Sequence, residues 1–416
     1  MGFASVWKRL VGVDDRTVVE GVEFDDNADA IVVSVRPRRP RKRRCGVCQR
    51  PAPRYDAGDG RRRWRALDLG TVKALLEADA PRVSCPEHGV VVAAVPWARH
   101  DAGFTRDFEE QAAWLVTHTS KSALVALLRI AWRTIGAIVA RMVAERGAGV
   151  DPLDGLVRIG IDELSHRKGQ RYITVVVDHD SGRLVWARPG RDRRTVAAFF
   201  DALGEQRCAA IRLVSADAAA WIGDEVDARC PNATRCMDPY HVVAWATEAL
   251  DEVRRQTWND ARRSGQKAVA AELKGARYAL WKNPEDLTER QGAKLADIAR
   301  TNRRLYRAYL LKEQLRMVFH QDDPHAAVAL LERWLAWAAR CQIKAFVKLA
   351  TTVRAHKDRI IAAVVHQLTN ARVESLNTKL RLLTRRAFGF HSPEALIALA
   401  LLSHGGLCPP LPGRHQ

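Results

Sequence analysis

Several features are absent from this sequence. No apolar run approaches the roughly 18 residues that a membrane span needs. The opening stretch "MGFASVWKRLVGVDD" lacks the apolar core and cleavage site of a signal peptide, and Gly2 fits a myristoylation pattern only loosely. There is no internal repeat and no low-complexity tract. Acids are scarce, with 48 Asp and Glu against 67 Lys and Arg, a formal charge of +19. The pI is near 10.0. These absences argue against a membrane-spanning or secreted chain. The charge excess favours a polyanionic partner, nucleic acid ahead of an anionic membrane surface. Eight cysteines without an export signal are expected as thiols or metal ligands in a reducing cytoplasm.

What is present is enough for several folded domains. The chain has 416 residues, 47% hydrophobic and 28% charged. Two β-like stretches, "TVVEGVEF" and "AIVVSVRP", precede the run "RPRRPRKRR". Its density of cations and two prolines predict an exposed irregular arm, either solubilising or phosphate-contacting through Arg38, Arg39, Arg41, Lys42, Arg43 and Arg44. Next come "CGVC" and, much later, "CPEH". Cys45, Cys48, Cys85 and His88 offer four ligands of the kind that hold one tetrahedral structural Zn²⁺. The long gap between the pairs holds strand-like pieces around "RRRWRALDL" and "VKALLEADAPRV", which are expected to fold back and join the knuckles.

Residues 104–146 read as helices. Thr105 starts one, Ser120 or Ser122 caps a short second, and a third runs from about Trp132 to Glu145. A short helix, a tight turn and a longer helix make helix-turn-helix spacing, although a plain three-helix bundle has the same pattern. Arg133 and Thr134, at the start of the third helix, are the candidates for base contacts.

After the linker "ERGAGVDPLDG" the period changes. "VRIGID", "RYITVVVD" and "LVWARPG" read as strands, then helices alternate with "IRLVSAD" and "ATRCMD". The order βββαβαβα predicts a mixed sheet, a meander followed by parallel crossovers. From about Arg255 to Val365 the pattern is helical throughout. Asp162 and Asp217 end the first and fourth strands in this reading, at the sheet edge where sites form. Two neighbouring carboxylates repel unless a cation joins them, and an oxygen-only set suits Mg²⁺. A pair of such ions supports in-line phosphoryl transfer. Glu374 is the best third acid. Asn370, Glu374, Asn377 and Arg381 form a polar stripe, beside the apolar stripe Val373, Leu376, Leu380 and Leu383. Asn377 and Arg381 are candidates for contacting DNA phosphates. Glu163 points to the other face of its strand, toward solvent or a salt bridge. "CMDPYH" resembles a metal set, but Asp238 can equally cap the following helix.

Taken in order, "CGVC", "RVSCPEHGV", "VPWARHDAGFTRDFE", "ALLRIAWRTIGAIVARM", "RIGIDELSHRKGQRYITVVVD", "LVSADAAAW", "MDPYHVVAWATEALDEVRRQ" and "NARVESLNTKLRLLTRRAFGF" resemble the DDE transposases of the ISL-type bacterial insertion sequences over nearly the whole chain. The resemblance implies a multidomain α/β protein. A ribonuclease-H-like mixed-sheet catalytic core would carry an all-helical insertion and follow a zinc-binding region and a helix-turn-helix. It maps the catalytic triad onto Asp162, Asp217 and Glu374, holding two Mg²⁺ or Mn²⁺ ions. The expected domains are a basic arm and zinc region over 1–100, a helix-turn-helix over 101–150, a core over 151–257 and 366–404, and an insertion over 258–365. Expected partners are double-stranded DNA, as transposon-end inverted repeats and target, and further copies of the chain on DNA. No membrane is expected, and the protein should work in the bacterial cytoplasm on the nucleoid. Two alternatives have the same architecture, a non-catalytic domesticated DNA-binding regulator and a nuclease that cuts without joining.

Overall fold

The computed structural model describes residues 2–38, 43–167, 169, 171–216, 219–368 and 370–414. The chain forms two compact units, one of residues 1–150 with 383–416 and one of residues 151–382.

The first unit begins with α1 (Phe3–Leu10) and seven strands, β1 (Thr17–Asp25), β2 (Ala30–Pro37), β3 (Arg54–Asp56), β4 (Arg61–Arg65), β5 (Lys73–Asp79), β6 (Arg82–Cys85) and β7 (Gly89–Val92). They make two sheets. β1-β2-β5-β4 surrounds a core that includes Val33, Val35, Trp64, Leu76 and Trp97, and β3-β6-β7 forms a separate small sheet. The strand-like pieces between the cysteine pairs therefore behave differently from expectation. β5 pairs with β2 of the N-terminal hairpin and β4 pairs with β5, while the β6–β7 hairpin presents Cys85 and His88.

Three helices follow, α2 (Arg106–His118), α3 (Lys121–Leu128) and α4 (Trp132–Gly147). Thr105 caps the first by accepting from the Phe108 N–H at 3.3 Å, and Ser120 caps the second by accepting from Ala123 at 3.2 Å. Helices α3 and α4 bend by 102° across a three-residue break. Arg129, at φ 54 and ψ 47, makes the left-handed turn where glycine is the usual residue. Buried Arg99 ties the segment before this bundle to it, reaching Glu109 at 3.3 Å, Glu110 at 2.8 Å and Glu145.

In the second unit β8 (Arg158–Arg167), β9 (Arg171–Asp178), β10 (Leu184–Pro189), β11 (Leu213–Ala216) and β12 (Thr234–Met237) form one sheet in the order β10-β9-β8-β11-β12. β8 is antiparallel to β9 and parallel to β11, so the sheet is mixed. Ile159, Ile161, Ile173, Val175, Val176 and Val177 are fully buried, as central strands with both faces covered must be. Helices α5 (Arg193–Leu203), α6 (Glu205–Cys208) and α7 (Ala220–Arg229) connect β10 to β12. Phe199, Phe200, Ile222 and Val226 join the strand residues Ile159 and Ile161 in one core.

The helical stretch comprises α8 (Pro239–Arg263), α9 (Lys267–Lys274), α10 (Arg277–Trp281), α11 (Glu289–Thr301), α12 (Arg303–Val318), α13 (Pro324–Arg340), α14 (Lys344–Ala355) and α15 (Lys357–Val365). Its own core includes Leu250, Leu311, Trp334 and Phe346. Then come α16 (Ala371–Arg386) and α17 (Pro393–His404).

The expected span 366–404 is divided. Residues up to 382 stay with the sheet, while those from 383 belong to the first unit, where α17 packs on α2 and α4. An apolar helix such as "PEALIALALLSH" signals burial but not the core it enters. Among the described residues no single helix is long and apolar enough to cross a membrane.

Candidate active site and zinc centre

Asp162 lies inside β8 rather than at its end. The strand continues for five more residues because β9 keeps pairing with it as far as Arg167↔Arg171. Its parallel partner β11 stops earlier, with Ile161↔Ala216 as the last pair, so Asp162 stands just past the parallel edge. Asp217, next in sequence after Ala216, lies outside the described residues.

The half-buried Asp162 carboxylate accepts hydrogen bonds from neighbouring amides. Asn377 Nδ2 donates to Oδ2 at 2.6 Å, and the Glu163 N–H donates to Oδ1 at 2.7 Å. Bonds of this kind offset part of the desolvation that makes a strand carboxylate costly.

Asn377 reaches it from α16, whose apolar stripe Val373, Leu376, Leu380 and Leu383 is buried. The polar stripe beside it is not a solvated face. Asn370 and Asn377 are 1% and 3% exposed, while Glu374 between them is half-buried. Burial and the bond to Asp162 engage the Asn377 amide with a carboxylate. Arg381, farther along the stripe, is exposed.

The helix sits close to the sheet because β8 carries Gly160. A Cβ there would lie 2.4 Å from Val373 Cγ2, 2.8 Å from His179 Nε2 and 3.1 Å from Ser215 Oγ. Beneath it runs a buried polar chain. Ser215 Oγ donates to Asn370 Oδ1 at 2.5 Å, and His179 Nε2 lies 2.7 Å from the same hydroxyl. Ser215 has one proton to give, so the imidazole is the donor in the second bond. Burial, then the cations Arg372 and Arg158, push His179 down to about 4, against the opposing pull of Asp178 and Asp180. It is neutral at physiological pH. Sequence reasoning missed both His179 and Ser215. A serine inside the apolar run "IRLVSAD" was the available signal.

Other residues resolve as structure. The Glu163 side chain is 3% exposed and pairs with Arg191 at 3.3 Å. Asp178 caps its own turn, accepting from the Asp180 and Ser181 N–H groups at 2.9 and 3.1 Å. Asp238 caps α8, accepting from Tyr240 N at 3.2 Å and lying 2.9 Å from His241 Nδ1. The strand also takes in His166, while Lys168 lies outside the described residues.

Cys45, Cys48, Cys85 and His88 converge, with all four ligand atoms within 4.8 Å of one another. Cys48 and Cys85 sulfurs are 3.8 Å apart, and His88 Nδ1 is 3.6 Å from Cys85 Sγ and 3.8 Å from Cys45 Sγ. A zinc tetrahedron with Zn–S about 2.3 Å and Zn–N about 2.0 Å has edges of about 3.8 Å between sulfurs and about 3.5 Å from sulfur to nitrogen. The four residues fit that ion. Hydrogen bonds from the His88 side chain and then the Glu87 backbone hold the Cys85 thiol down at about 6, ready to ligate as thiolate. Gly46 in the first knuckle leaves no room for a side chain, since a Cβ would lie 2.5 Å from Val92 O and from His100 Nδ1.

The remaining candidates scatter. Arg38 and Arg43 are exposed, and Arg39, Arg41 and Lys42 lie outside the described residues. Arg44 turns into the knuckle, where Nη1 donates to Gln49 O at 2.8 Å. On α4 Arg133 is exposed and Thr134 half-buried.

Three family models match the chain in succession. Residues 41–88 match the zinc-finger of transposase IS204/IS1001/IS1096/IS1165, and residues 93–143 match the helix-turn-helix domain of transposase family ISL3. Residues 159–400 match the transposase model of ISL3. The chain is 57% identical to the transposase for insertion sequence element IS1557 of Mycobacterium tuberculosis, over 99% of this chain and 98% of that one. It is 26% identical to the transposase for insertion sequence element IS1001 of Bordetella parapertussis, over 80% of this chain and 82% of that one.

Proposed function

The chain belongs to the ISL3 family of insertion-sequence transposases, with zinc-finger and helix-turn-helix DNA-binding regions, and from that premise we propose how its residues carry out the reaction. The catalytic centre is the DDE set Asp162, Asp217 and Glu374. The observation that carries this assignment is the contact between Asn377 and Asp162, which seats α16, and Glu374 with it, on the edge of β8. The sheet order, with a meander feeding two parallel strands and helices on its faces, supports a ribonuclease-H-like core.

The donor set fits hard divalent ions, because it consists of carboxylates with amide groups at hand. Among the described residues the buried Asn377 Oδ1 and Asn370 Nδ2 make no hydrogen bond. Two Mg²⁺ ions, or Mn²⁺, held by the three acids would supply activation of the attacking oxygen and stabilisation of the leaving one. The protein's part is to hold those acids apart from solvent and in register. Asn377 fixes one carboxylate oxygen by its amide, and the Glu163 N–H fixes the other.

In the first step a water oxygen attacks the phosphorus at the transposon end and the 3′ oxygen leaves as a 3′-OH. In the second step that hydroxyl attacks a target-strand phosphorus, and the target's 3′ oxygen leaves. Both steps are in-line phosphoryl transfers at one site, with no covalent link to the protein.

The terminal inverted repeats are read by the α3–α4 pair, with Arg133 and Thr134 entering the groove. The basic arm at Arg38, Arg39, Arg41, Lys42 and Arg43 adds phosphate contacts without sequence preference. Pairing of two element ends calls for more than one copy on DNA, on the nucleoid in the bacterial cytoplasm. Incubating the protein with a labelled end-containing duplex and Mg²⁺ tests the reading. Nicked 3′-OH ends and joined products are expected, and binding without either product would contradict it.

A further inference from the structure

The acids named above need a rigid support, and α16 reaches the sheet edge through polar contacts as well as apolar ones. Asn370 stands one turn before Glu374, whose N–H donates to the Asn370 carbonyl at 2.8 Å. The side chain of Asn370 accepts from Ser215, and Ser215 receives the bond from His179. All three side chains are buried, at 1%, 0% and 3% exposure. Ser215 occupies the middle of the β11 register, paired with Gly160 on β8 and Cys236 on β12. His179 follows β9 directly, and its N–H donates to Arg158 O on β8 at 2.9 Å. The chain therefore links three strands to the first turn of α16. A second tether, Arg372 Nη1 to Asp180 O at 3.2 Å, acts at the same end of the helix.

Apolar packing alone does not fix a helix against sliding or rotating over a sheet, because one aliphatic side chain replaces another at similar cost. A buried hydroxyl between two obligatory partners accepts only one register, since any slip leaves three polar groups unsatisfied in a water-free layer. Gly160 sharpens this, because it brings the backbone of β8 within contact of Val373, His179 and Ser215 together.

We propose that Ser215, bonded to His179 and Asn370, is a positioning residue that sets the register of α16 and so delivers Glu374 to the sheet edge. Neither Ser215 nor His179 touches DNA or a reacting atom in this assignment. Its catalytic consequence rests on Glu374 being the third acid.

The test uses the full-length chain and the variants Ser215→Ala, His179→Leu, His179→Gln and Asn370→Ala. Hydrogen exchange is followed in peptides covering 373–381, cleavage of an end-containing duplex is titrated with Mg²⁺, and affinity for that duplex is measured in Ca²⁺. Ser215→Ala and His179→Leu are expected to speed exchange of α16 amides about tenfold or more. They should slow cleavage by about ten- to a hundredfold and raise the Mg²⁺ needed for half-maximal rate, with DNA affinity within about twofold. His179→Gln, whose amide can present a donor where Nε2 stood, should recover most of both losses. If Ser215→Ala does not fold, the Leu and Gln variants at His179 decide.

Unchanged exchange in α16, unchanged cleavage, or a Gln variant as defective as Leu each overturns the proposal. A Glu374→Ala protein that still cuts overturns the triad instead, and the α16 exchange data then stand as a separate result.

Discussion

Asn377 on α16 donates a 2.6 Å hydrogen bond to the Asp162 carboxylate on β8, although 215 positions of sequence separate them. An amide is suited to that place. It carries no charge of its own, and it fixes one carboxylate oxygen in space. Asn377→Ala is predicted to slow end cleavage by about ten- to a hundredfold while leaving affinity for the duplex within about twofold. Asn377→Asp should be worse, because a second carboxylate then faces the first. Gel-based cleavage beside a binding titration in Ca²⁺ checks both. A large loss of DNA affinity in Asn377→Ala would instead support a phosphate contact for this residue.

The zinc assignment predicts one zinc ion per chain in protein purified without chelator. Cys45→Ala or Cys85→Ala should release it and weaken binding to the inverted repeat. The cause is loss of the link between the first knuckle and the β6–β7 hairpin, which four ligands within 4.8 Å hold together. Elemental analysis of the purified chain decides. Zinc retained at full stoichiometry in Cys85→Ala would contradict the site.

His179 predicts a pH effect of known sign. Its neutral form is native, with the pKa pushed from 6.5 to about 4 by burial and the cations Arg372 and Arg158. Between those values the unfolded chain binds a proton that the folded chain does not. Stability therefore falls as pH falls from about 6.5 toward about 4, by up to about 1.4 kcal/mol per pH unit from this group. Above about 6.5 the contribution is flat. Urea midpoints of the wild type and His179→Gln between pH 7 and pH 5 isolate it, and the Gln variant should show the shallower slope. Parallel slopes would mean that the imidazole titrates freely.

The basic run predicts a steep dependence of DNA binding on salt. Arg36 pairs with Glu20 on the hairpin and Arg44 bonds the knuckle carbonyl, so neither is a free phosphate ligand. Replacing Arg38, Arg39, Arg41, Lys42 and Arg43 together by Ser should flatten the log–log slope by about 2 to 4, at roughly 0.9 for each phosphate that the variant no longer neutralises. Preference for the end sequence should survive. An unchanged slope would assign the run to solubility.

Local chemistry made much of this molecule legible. Thr105 and Ser120 mark helix starts by their side-chain oxygens; Thr105 caps as expected, and of the two serines offered for the second helix Ser120 is the cap. The paired knuckles announce a metal, and the period of α16 marks its buried stripe. Longer-range facts were not legible. In the sequence Asp162 looks like the end of a strand because the apolar run stops on it, but β9 continues pairing and extends β8 past it. The burial of Asn377 against β8 was not legible because a helix pattern does not say what covers its polar face. Glu163 illustrates the same limit, since its ion pair with Arg191 was one of two readings and its near-complete burial was not visible. The membership of α17 in the first unit depends on packing partners far earlier in the sequence, to which no local pattern points.

Single alanine substitutions at Asp162, Asp217 and Glu374 test the proposed catalytic acids most directly. Ser375→Ala, on an exposed position of the same helix as Glu374, serves as the control. The assay is cleavage and strand joining of a labelled end-containing duplex in Mg²⁺, with binding measured separately in Ca²⁺. Each acid variant is predicted to lose both reactions by about a hundredfold or more and to keep its DNA affinity, with Ser375→Ala close to wild type. Normal cleavage by Glu374→Ala would displace the third acid, and normal cleavage by Asp162→Ala would contradict the proposed mechanism outright.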